Sequence, residues 1–182
     1  MVLGFIHAED VGGSMTIHMF GAYFGLACSY ALGGPDGTEH ELMLPDKISD
    51  IIALINMDMI GRENIDSIHC IGSNKLSTEF YNIIEETNSK TVKMFLDYRF
   101  NDPNDRKRYY YRSDHYEYAK RGIPIVFFFD DMRIDYHRAT DDFDKINYSK
   151  IARIINLVYN VSIEVANLDH RLTVDKENED EE

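Results

Sequence analysis

The segment at residues 123–129, with the sequence IPIVFFF, constrains the fold of this chain more than any other. A short and almost continuous apolar run of this kind is typical of a strand buried inside a sheet. Other, less continuous apolar runs predict three further strands, at residues 51–57, 65–71 and 91–96. The chain is therefore expected to build its core around a sheet.

Helices are predicted between and after these strands. Ser77 or Thr78 is suited to cap a helix that continues through Glu86, and Ser113 is suited to cap a shorter helix through Arg121. Apolar residues at helical spacing predict a long closing helix, namely Ile151, Ile154, Ile155, Val158, Val161 and Val165. Strands separated by helices indicate an α/β layered fold.

Charge and length limit the function classes. The 182 residues suit one domain, and 19 basic against 32 acidic residues give a net charge of -13. This charge argues against a nucleic-acid partner, because binding to phosphates requires cations. Much of the negative charge lies near the carboxyl end, where residues 171–182 are predicted to form an acidic, disordered tail.

The amino-terminal part contains few charged residues. Residues 11–35 contain no Asp, Glu, Lys or Arg, and residues 14–33 form an apolar stretch. Its length would cross the hydrocarbon core of a bilayer, but a buried helix in a soluble fold has the same composition. An apolar helix is therefore expected here, with membrane association through residues 14–33 left open. No signal peptide is recognised, and the location of the protein is not predicted.

Two residues are candidates for chemistry at the ends of predicted strands. Asp58 ends the sequence Ile-Asn-Met-Asp, and His137 lies in Asp-Tyr-His-Arg beyond the Phe-rich strand. Carboxylate and imidazole are ligands that zinc prefers. Each residue also has a purely structural interpretation, because Asp58 is suited to cap a turn and His137 is one of seven histidines.

The segment at residues 56–62, NMDMIGR, and the segment at residues 135–141, DYHRATD, carry a resemblance to a known family. They resemble motifs of metallopeptidase family twenty-eight, the zinc-dependent aminopeptidases and their carboxypeptidase relatives. Further similar blocks follow in family order, at residues 71–77, 110–116, 121–124 and 144–148. The resemblance covers residues 41–167 and implies a partial zinc-exopeptidase fold, with a mixed sheet flanked by helices, over residues 36–170.

The resemblance also implies roles for individual residues in a site that holds one or two zinc ions. Asp58 is similar to the carboxylate ligand of one zinc, and His137 to the histidine ligand of the other. Tyr136 matches a residue that donates a hydrogen bond to the tetrahedral oxyanion, and Asp141 is expected to orient the loop that carries His137.

A second set of residues is expected near the substrate. Ser113, Asp114 and His115 lie on a loop that approaches the substrate pocket in such enzymes, although a helix cap with solvent-facing neighbours explains them equally well. The family's H-x-D motif and bridging aspartate have no counterpart before Asp58. Glu9, as general base, and Asp10, as metal ligand, are the candidate substitutes for the family's acidic pair. The resemblance thus implies a peptidase that hydrolyses peptide substrates. It also implies that the metal site is incomplete in this sequence.

The first 35 residues resemble a different protein class. The sequence DVGGSMTIHMFGAYFGL at residues 10–26 is similar to a transmembrane helix of Rh-type ammonium transporters, in which the residue matching His18 lines the pore. One helix cannot form a conducting path. The alternative function is therefore a membrane-associated protein that carries a non-catalytic peptidase-fold module, and a metal-free binding module is a third possibility. Neither substrate preference nor oligomeric state is predicted.

Overall fold

The computed structural model describes residues 2–3, 8–9, 51–62, 64–131 and 134–176. The chain divides into two compact units, Met1–Ser49 with Met132–Lys145, and Asp50–Asp131 with Ile146–Glu182. In the first unit, strands β1 (Val2–Leu3) and β2 (Ala8–Glu9) form an antiparallel pair. The second unit contains the main sheet.

Four strands form that sheet in the order β3-β6-β4-β5. They are β3 (Leu54–Met57), β4 (Ser67–Ile71), β5 (Phe95–Asp97) and β6 (Ile125–Phe129). β3 runs parallel to β6, β4 runs antiparallel to β6, and β5 runs parallel to β4. The amino end of β4 therefore lies at the same edge as the carboxyl ends of β3 and β6.

Both faces of β6 are covered, which explains its unbroken apolar sequence. Val126 and Phe128 belong to one core cluster, and Phe127 and Phe129 belong to the other. Successive side chains of a strand point to opposite faces, so a strand buried on both faces needs apolar residues at every position. The prediction of a buried strand here is confirmed.

Two helices cover the first face. Helix α1 (Thr78–Lys90) begins at Ser77, whose hydroxyl accepts a hydrogen bond from the Phe80 amide at 3.1 Å. Helix α3 (Tyr148–Ala166) begins at Asn147, whose side chain accepts from the Lys150 amide at 3.0 Å. Apolar residues of both helices join the first cluster, including Phe80, Ile84, Ile154, Leu157 and Val161. Full burial of each such side chain contributes about 1.5–3 kcal/mol.

Helix α2 (His115–Ala119) and a 3-10 turn at Tyr109–Tyr111 cover the second face. Tyr109, Tyr110 and Ala119 pack there against Phe127 and Phe129 of β6. The second face is therefore mainly aromatic. The first face is mainly aliphatic.

The predicted architecture is confirmed as a mixed sheet with helices, with differences in detail. The strands are shorter than the apolar runs that predicted them. Ile155 was expected on the buried face of α3 but is 52% exposed, while Leu157 is buried. Helix α2 begins at His115 rather than next to Ser113, and no side chain caps it. The expected apolar helix at residues 14–33 lies outside the described residues.

Candidate functional site

Asp58 follows β3 directly and remains held by the sheet. Its backbone amide donates to the carbonyl oxygen of Phe128 at 3.2 Å, so the pairing of β3 with β6 continues for one residue beyond the strand. The next residue, Met59, has a φ of 55° and lies in the left-handed region. This turn ends the strand and leaves the Asp58 side chain exposed to solvent at the edge of the sheet.

Asn56 connects β3 to the loop before α2. Its side-chain amide donates to the hydroxyl oxygen of Ser113 at 3.0 Å and contacts Nδ1 of His115 at 3.2 Å. Asn56 precedes Asp58 by two residues, so the two side chains project from the same face of the extended chain. The loop expected near the substrate is thus attached to the strand that carries the candidate ligand.

His115 is completely buried, and its contacts define its protonation state. Its Nε2 lies 2.7 Å from the carbonyl oxygen of Tyr110, which only accepts hydrogen bonds, so Nε2 carries the proton. Nδ1 is then free to accept from Asn56. Burial lowers the pKa of His115 to about 4, although the Tyr110 carbonyl acts in the opposite direction. His115 is therefore a neutral histidine that positions the loop from inside the core.

His137 lies in the other unit, on a loop stabilised by local contacts. Its φ is 57°, and its ring stacks on Tyr136 with 3.8 Å between centroids. The buried carboxylate of Asp135 accepts from Nζ of Lys145 at 3.0 Å. The backbone amide of Asp141 donates to the carbonyl oxygen of Arg138 at 3.0 Å, which forms a turn after His137. Both His137 and Asp141 are exposed.

Two of the candidate residues are in the amino-terminal part. Glu9 is the last residue of β2, and its side chain is not described. Asp10 lies outside the described residues. The roles expected for them, as general base and metal ligand, stay predictions.

Zinc suits the donor chemistry of these candidates, but the described residues do not complete a site. Asp58 and His137 supply the carboxylate and imidazole that zinc prefers, whereas a catalytic zinc has three protein ligands. Within residues 51–62, 64–131 and 134–176, no group of three His, Cys, Asp or Glu side chains is placed to hold a metal ion. The described residues thus offer metal donors of the expected types, but too few of them to hold a catalytic zinc ion.

Sequence reasoning missed a polar cleft of about 270 Å³ in the second unit. Its lining includes Asn64, Ser67, Ile68, His69, Asp97, Arg99, Asp130 and Asp131. Nδ1 of His69 lies 3.6 Å from Oδ2 of Asp97, and burial lowers the pKa of His69 while Asp97 acts to raise it. The antiparallel direction of β4, which no sequence pattern indicates, brings these residues to the end of β6.

Comparison with known proteins shows similarity to ammonium transporters over short segments and to aminopeptidases over most of the chain. A segment is 44% identical over 57 residues to the ammonium transporter Rh type C of Tetraodon nigroviridis, which covers 30% of this chain and 12% of that protein. A second segment match, to the Rh type C transporter of Rattus norvegicus, is 59% identical over 32 residues and covers 18% and 6%. Within the described residues, no helix has the length and apolar character needed to cross a membrane.

The solved structures similar to this chain are aminopeptidases. The LapA aminopeptidase of Legionella pneumophila has a TM-score of 0.56 and 19% identity, covering 74% of this chain and 36% of that enzyme. The aminopeptidase from Aneurinibacillus sp. strain AM-1 has a TM-score of 0.51 and 17% identity, covering 75% and 31%. The chain thus spans about a third of the length of these enzymes, and the likeness shows a shared fold.

The family relation rests on a longer match. The family model of Peptidase family M28 matches residues 2–162 of the 182 in this chain. The match includes β1 and β2 as well as the sheet that carries Asp58. The chain therefore belongs to Peptidase family M28.

Proposed function

We propose that this protein acts as a zinc-dependent exopeptidase of the aminopeptidase type, hydrolysing peptide bonds, and that its described residues supply only part of the metal site. The observation that carries the proposal is the position of Asp58. This carboxylate stands at the exposed end of β3 in a family-matched segment, and the Phe128 carbonyl fixes its backbone. An exposed carboxylate on a backbone held at a strand end is suited to bind a metal ion.

His137 is proposed as the second ligand, and Tyr136 as the donor to the oxyanion. Asp141 is proposed to orient the His137 loop, which the turn at Arg138 supports. Glu9 and Asp10 are proposed as general base and ligand. When bound in pairs, zinc ions activate a water molecule and stabilise developing charge.

Peptide substrates are proposed to approach the loop at Ser113, Asp114 and His115. Support comes from the hydrogen bonds of Asn56, which attach this loop to the strand before Asp58. Because His115 is completely buried, it is proposed to shape the pocket from behind. Ser113 and Asp114 remain the candidates for direct contact with a substrate.

Zinc titration of the full chain by calorimetry tests the proposal. Zinc binding is expected, and both Asp58→Ala and His137→Ala should abolish it. Asp169→Ala and His170→Ala are matched controls, because they remove the same residue types from side chains that are 98% and 51% exposed. Release of the first residue from a peptide is measured in parallel. Absence of zinc binding, or equal binding by all four variants, would reduce the relation to shared fold.

The transporter-like segment supports a second candidate function, a membrane-associated protein with a non-catalytic peptidase-fold module. Flotation of the full chain with phosphatidylcholine vesicles tests it. Under this alternative, the chain should float with vesicles, and Phe20→Glu with Leu26→Glu should prevent flotation. A monodisperse full chain that stays with the soluble fraction in the absence of detergent would contradict it.

A further inference from the structure

Lys150 and Asp130 form an ion pair inside the second unit. The Lys150 side chain is 0% exposed and that of Asp130 is 2% exposed. Nζ of Lys150 donates to Oδ1 of Asp130. Removing two charges from water is costly, and a buried pair is often no more stabilising than apolar residues of similar volume. Stability alone is therefore a weak explanation for this pair, and its other contacts indicate a different role.

The second oxygen of Asp130 holds the backbone of another element. Oδ2 accepts from the amide of Arg62 at 2.7 Å. Asp130 follows β6 directly, Lys150 lies in the first turn of α3, and Arg62 lies in the loop after β3. The Asp130 carboxylate thus connects the end of β6 to α3 through Oδ1 and to the loop after β3 through Oδ2.

The residue before Arg62 is held by the same helix. The carbonyl oxygen of Gly61 accepts from the amide of Asn147, the residue that caps α3, at 2.7 Å. A Cβ atom on Gly61 would lie 2.8 Å from Cδ1 of Ile151, so the loop lies close to α3 and a larger residue there would require the Ile151 side chain to shift. The carboxyl end of the loop is therefore fixed by both Asp130 and the start of α3.

The amino end of the same loop is Asp58. Its amide donates to Phe128 of β6, two residues before Asp130, so β6 holds one end of the loop and the residue directly after β6 holds the other. Between these contacts Met59 adopts a φ of 55°. A left-handed conformation is unfavourable for a residue with a side chain and persists where surrounding contacts impose it. The contact at Arg62 thus fixes the far end of the short loop that begins at Asp58.

We propose that Lys150 and Asp130 are positioning residues that set the direction of the Asp58 carboxylate through the backbone amide of Arg62. The ligand role of Asp58 rests on the proposed function, but the control of the loop does not. Lys150 orients the Asp130 carboxylate so that Oδ2 faces the Arg62 amide. Neither residue touches a substrate or metal ion in this proposal.

Two double variants separate the hydrogen bond from the charges. Asp130→Leu with Lys150→Met removes both charges and the acceptor for the Arg62 amide. Asp130→Asn with Lys150→Gln also removes both charges but keeps an amide oxygen for Arg62 and a neutral hydrogen-bonded pair. Neither variant leaves an unpaired buried charge, which is the strongly destabilising case. Circular dichroism and thermal unfolding of the full chain verify that each variant folds.

Amide hydrogen exchange at Arg62, measured by NMR without metal, is the first readout. Exchange should be at least about tenfold faster in the Leu/Met variant and within about threefold of wild type in the Asn/Gln variant, because the acceptor is lost only in the former. Equal exchange in both variants and in wild type would overturn the proposal. If the Leu/Met variant does not fold, wild-type exchange at Arg62 decides, since exchange at the rate of an unstructured peptide would also overturn it.

Zinc affinity is the second readout. The Leu/Met variant should bind zinc about 10–100-fold more weakly than wild type, and the Asn/Gln variant should bind it within about threefold. Asp58→Ala in the wild-type background separates the two hypotheses. If Asp58→Ala leaves zinc affinity unchanged, the proposed function fails while hydrogen exchange still tests the loop. If Asp58→Ala abolishes binding but the Leu/Met variant binds normally, only the positioning inference fails.

Discussion

Nδ2 of Asn56 and Nδ1 of His115 lie 3.2 Å apart, although 59 residues separate them in the chain. The same amide donates to Ser113, so one side chain satisfies two acceptors. This contact attaches the loop before α2 to β3 at a point two residues from Asp58. Its removal is therefore expected to affect the fold and the candidate site together.

Asn56→Leu should lower the free energy of unfolding by about 1–3 kcal/mol, because it leaves buried Nδ1 of His115 without its donor. Urea unfolding measures the change. Asn160→Leu is the matched control, since the half-buried Asn160 makes only exposed hydrogen bonds, to Asn156 within the same helix. Its effect should stay within about 0.5 kcal/mol. Equal effects of the two substitutions would show that the Asn56 contacts add nothing.

The neutral state of His115 predicts a loss of stability in acid. Its pKa is about 4 in the folded protein against 6.5 for an ordinary histidine, so the unfolded chain binds more protons between these values. The free energy of unfolding should fall by about 2–4 kcal/mol as the pH decreases from about 6.5 to 4. In His115→Gln, the dependence over this range should be flatter. An NMR titration that places the pKa of His115 near 6.5 would contradict the prediction.

The contribution of His170 to the free energy of unfolding should depend on pH in the opposite direction to that of His115. The side chains of Asp169 and Glu79 raise its pKa, so it favours the folded state at pH values below about 6.5 and loses this effect as the pH rises through its folded pKa. Comparison of the unfolding of wild type and His170→Ala from about pH 6.5 upward measures this contribution. Stability should therefore rise with pH below about 6.5 through His115 and fall with pH above that value through His170. A His115 contribution that does not change with pH below about 6.5 would show that burial does not set its pKa.

Gly72 and Gly122 share a positive φ but differ in their surroundings. A Cβ atom on Gly72 would lie 2.9 Å from Cε2 of Tyr110 and still closer to Cδ1 of Ile125, whereas nothing lies within 4 Å of one on Gly122. Gly72→Ala should destabilise the protein by about 2–4 kcal/mol, from both backbone strain and overpacking. Gly122→Ala should cost about 1–2 kcal/mol from strain alone. Thermal unfolding of both variants measures the difference, and equal losses would exclude crowding at Gly72.

Ser77 is expected to stabilise the start of α1. Its buried hydroxyl accepts from the Phe80 amide, so Ser77→Ala should cost about 1–2 kcal/mol. Ser89→Ala is the matched control, because the exposed Ser89 hydroxyl only donates to the Glu86 carbonyl near the end of the helix. Chemical denaturation compares the two. A loss no larger for Ser77→Ala than for Ser89→Ala would mean that another group caps the helix.

Much of this fold could be predicted because its signals are local. The cap at Ser77 and the apolar run of β6 each depend on residues adjacent in the sequence. The burial of His115 could not be predicted in this way, because it depends on Asn56 and Tyr110 meeting in space. The exposure of Ile155 has a similar cause, since only the packed structure decides which side of α3 faces the sheet.

The candidate site shows the same limit. A carboxylate after a strand, in a segment that resembles the family motif, makes Asp58 a candidate, because β3 and β6 are parallel and their carboxyl ends meet at one edge. Its role as a metal ligand stays a prediction. The cleft at His69 and Asp97 was missed because β4 reverses direction beside β6. Asp130 and Lys150 were missed because neither residue type nor spacing indicates that their side chains meet inside the second unit.

The parallel pairing of β3 with β6 also has a consequence for biosynthesis. Leu54 pairs with Ile125, and the loop after β3 is completed by Lys150 through Asp130, whereas Ser67 of β4 pairs with the nearer Phe95. Contacts between distant segments form at a greater entropic cost than local ones. On the ribosome, Asp58 would therefore emerge long before the residues that hold it, and the edge of the sheet that carries it would be assembled only after Lys150 has been translated.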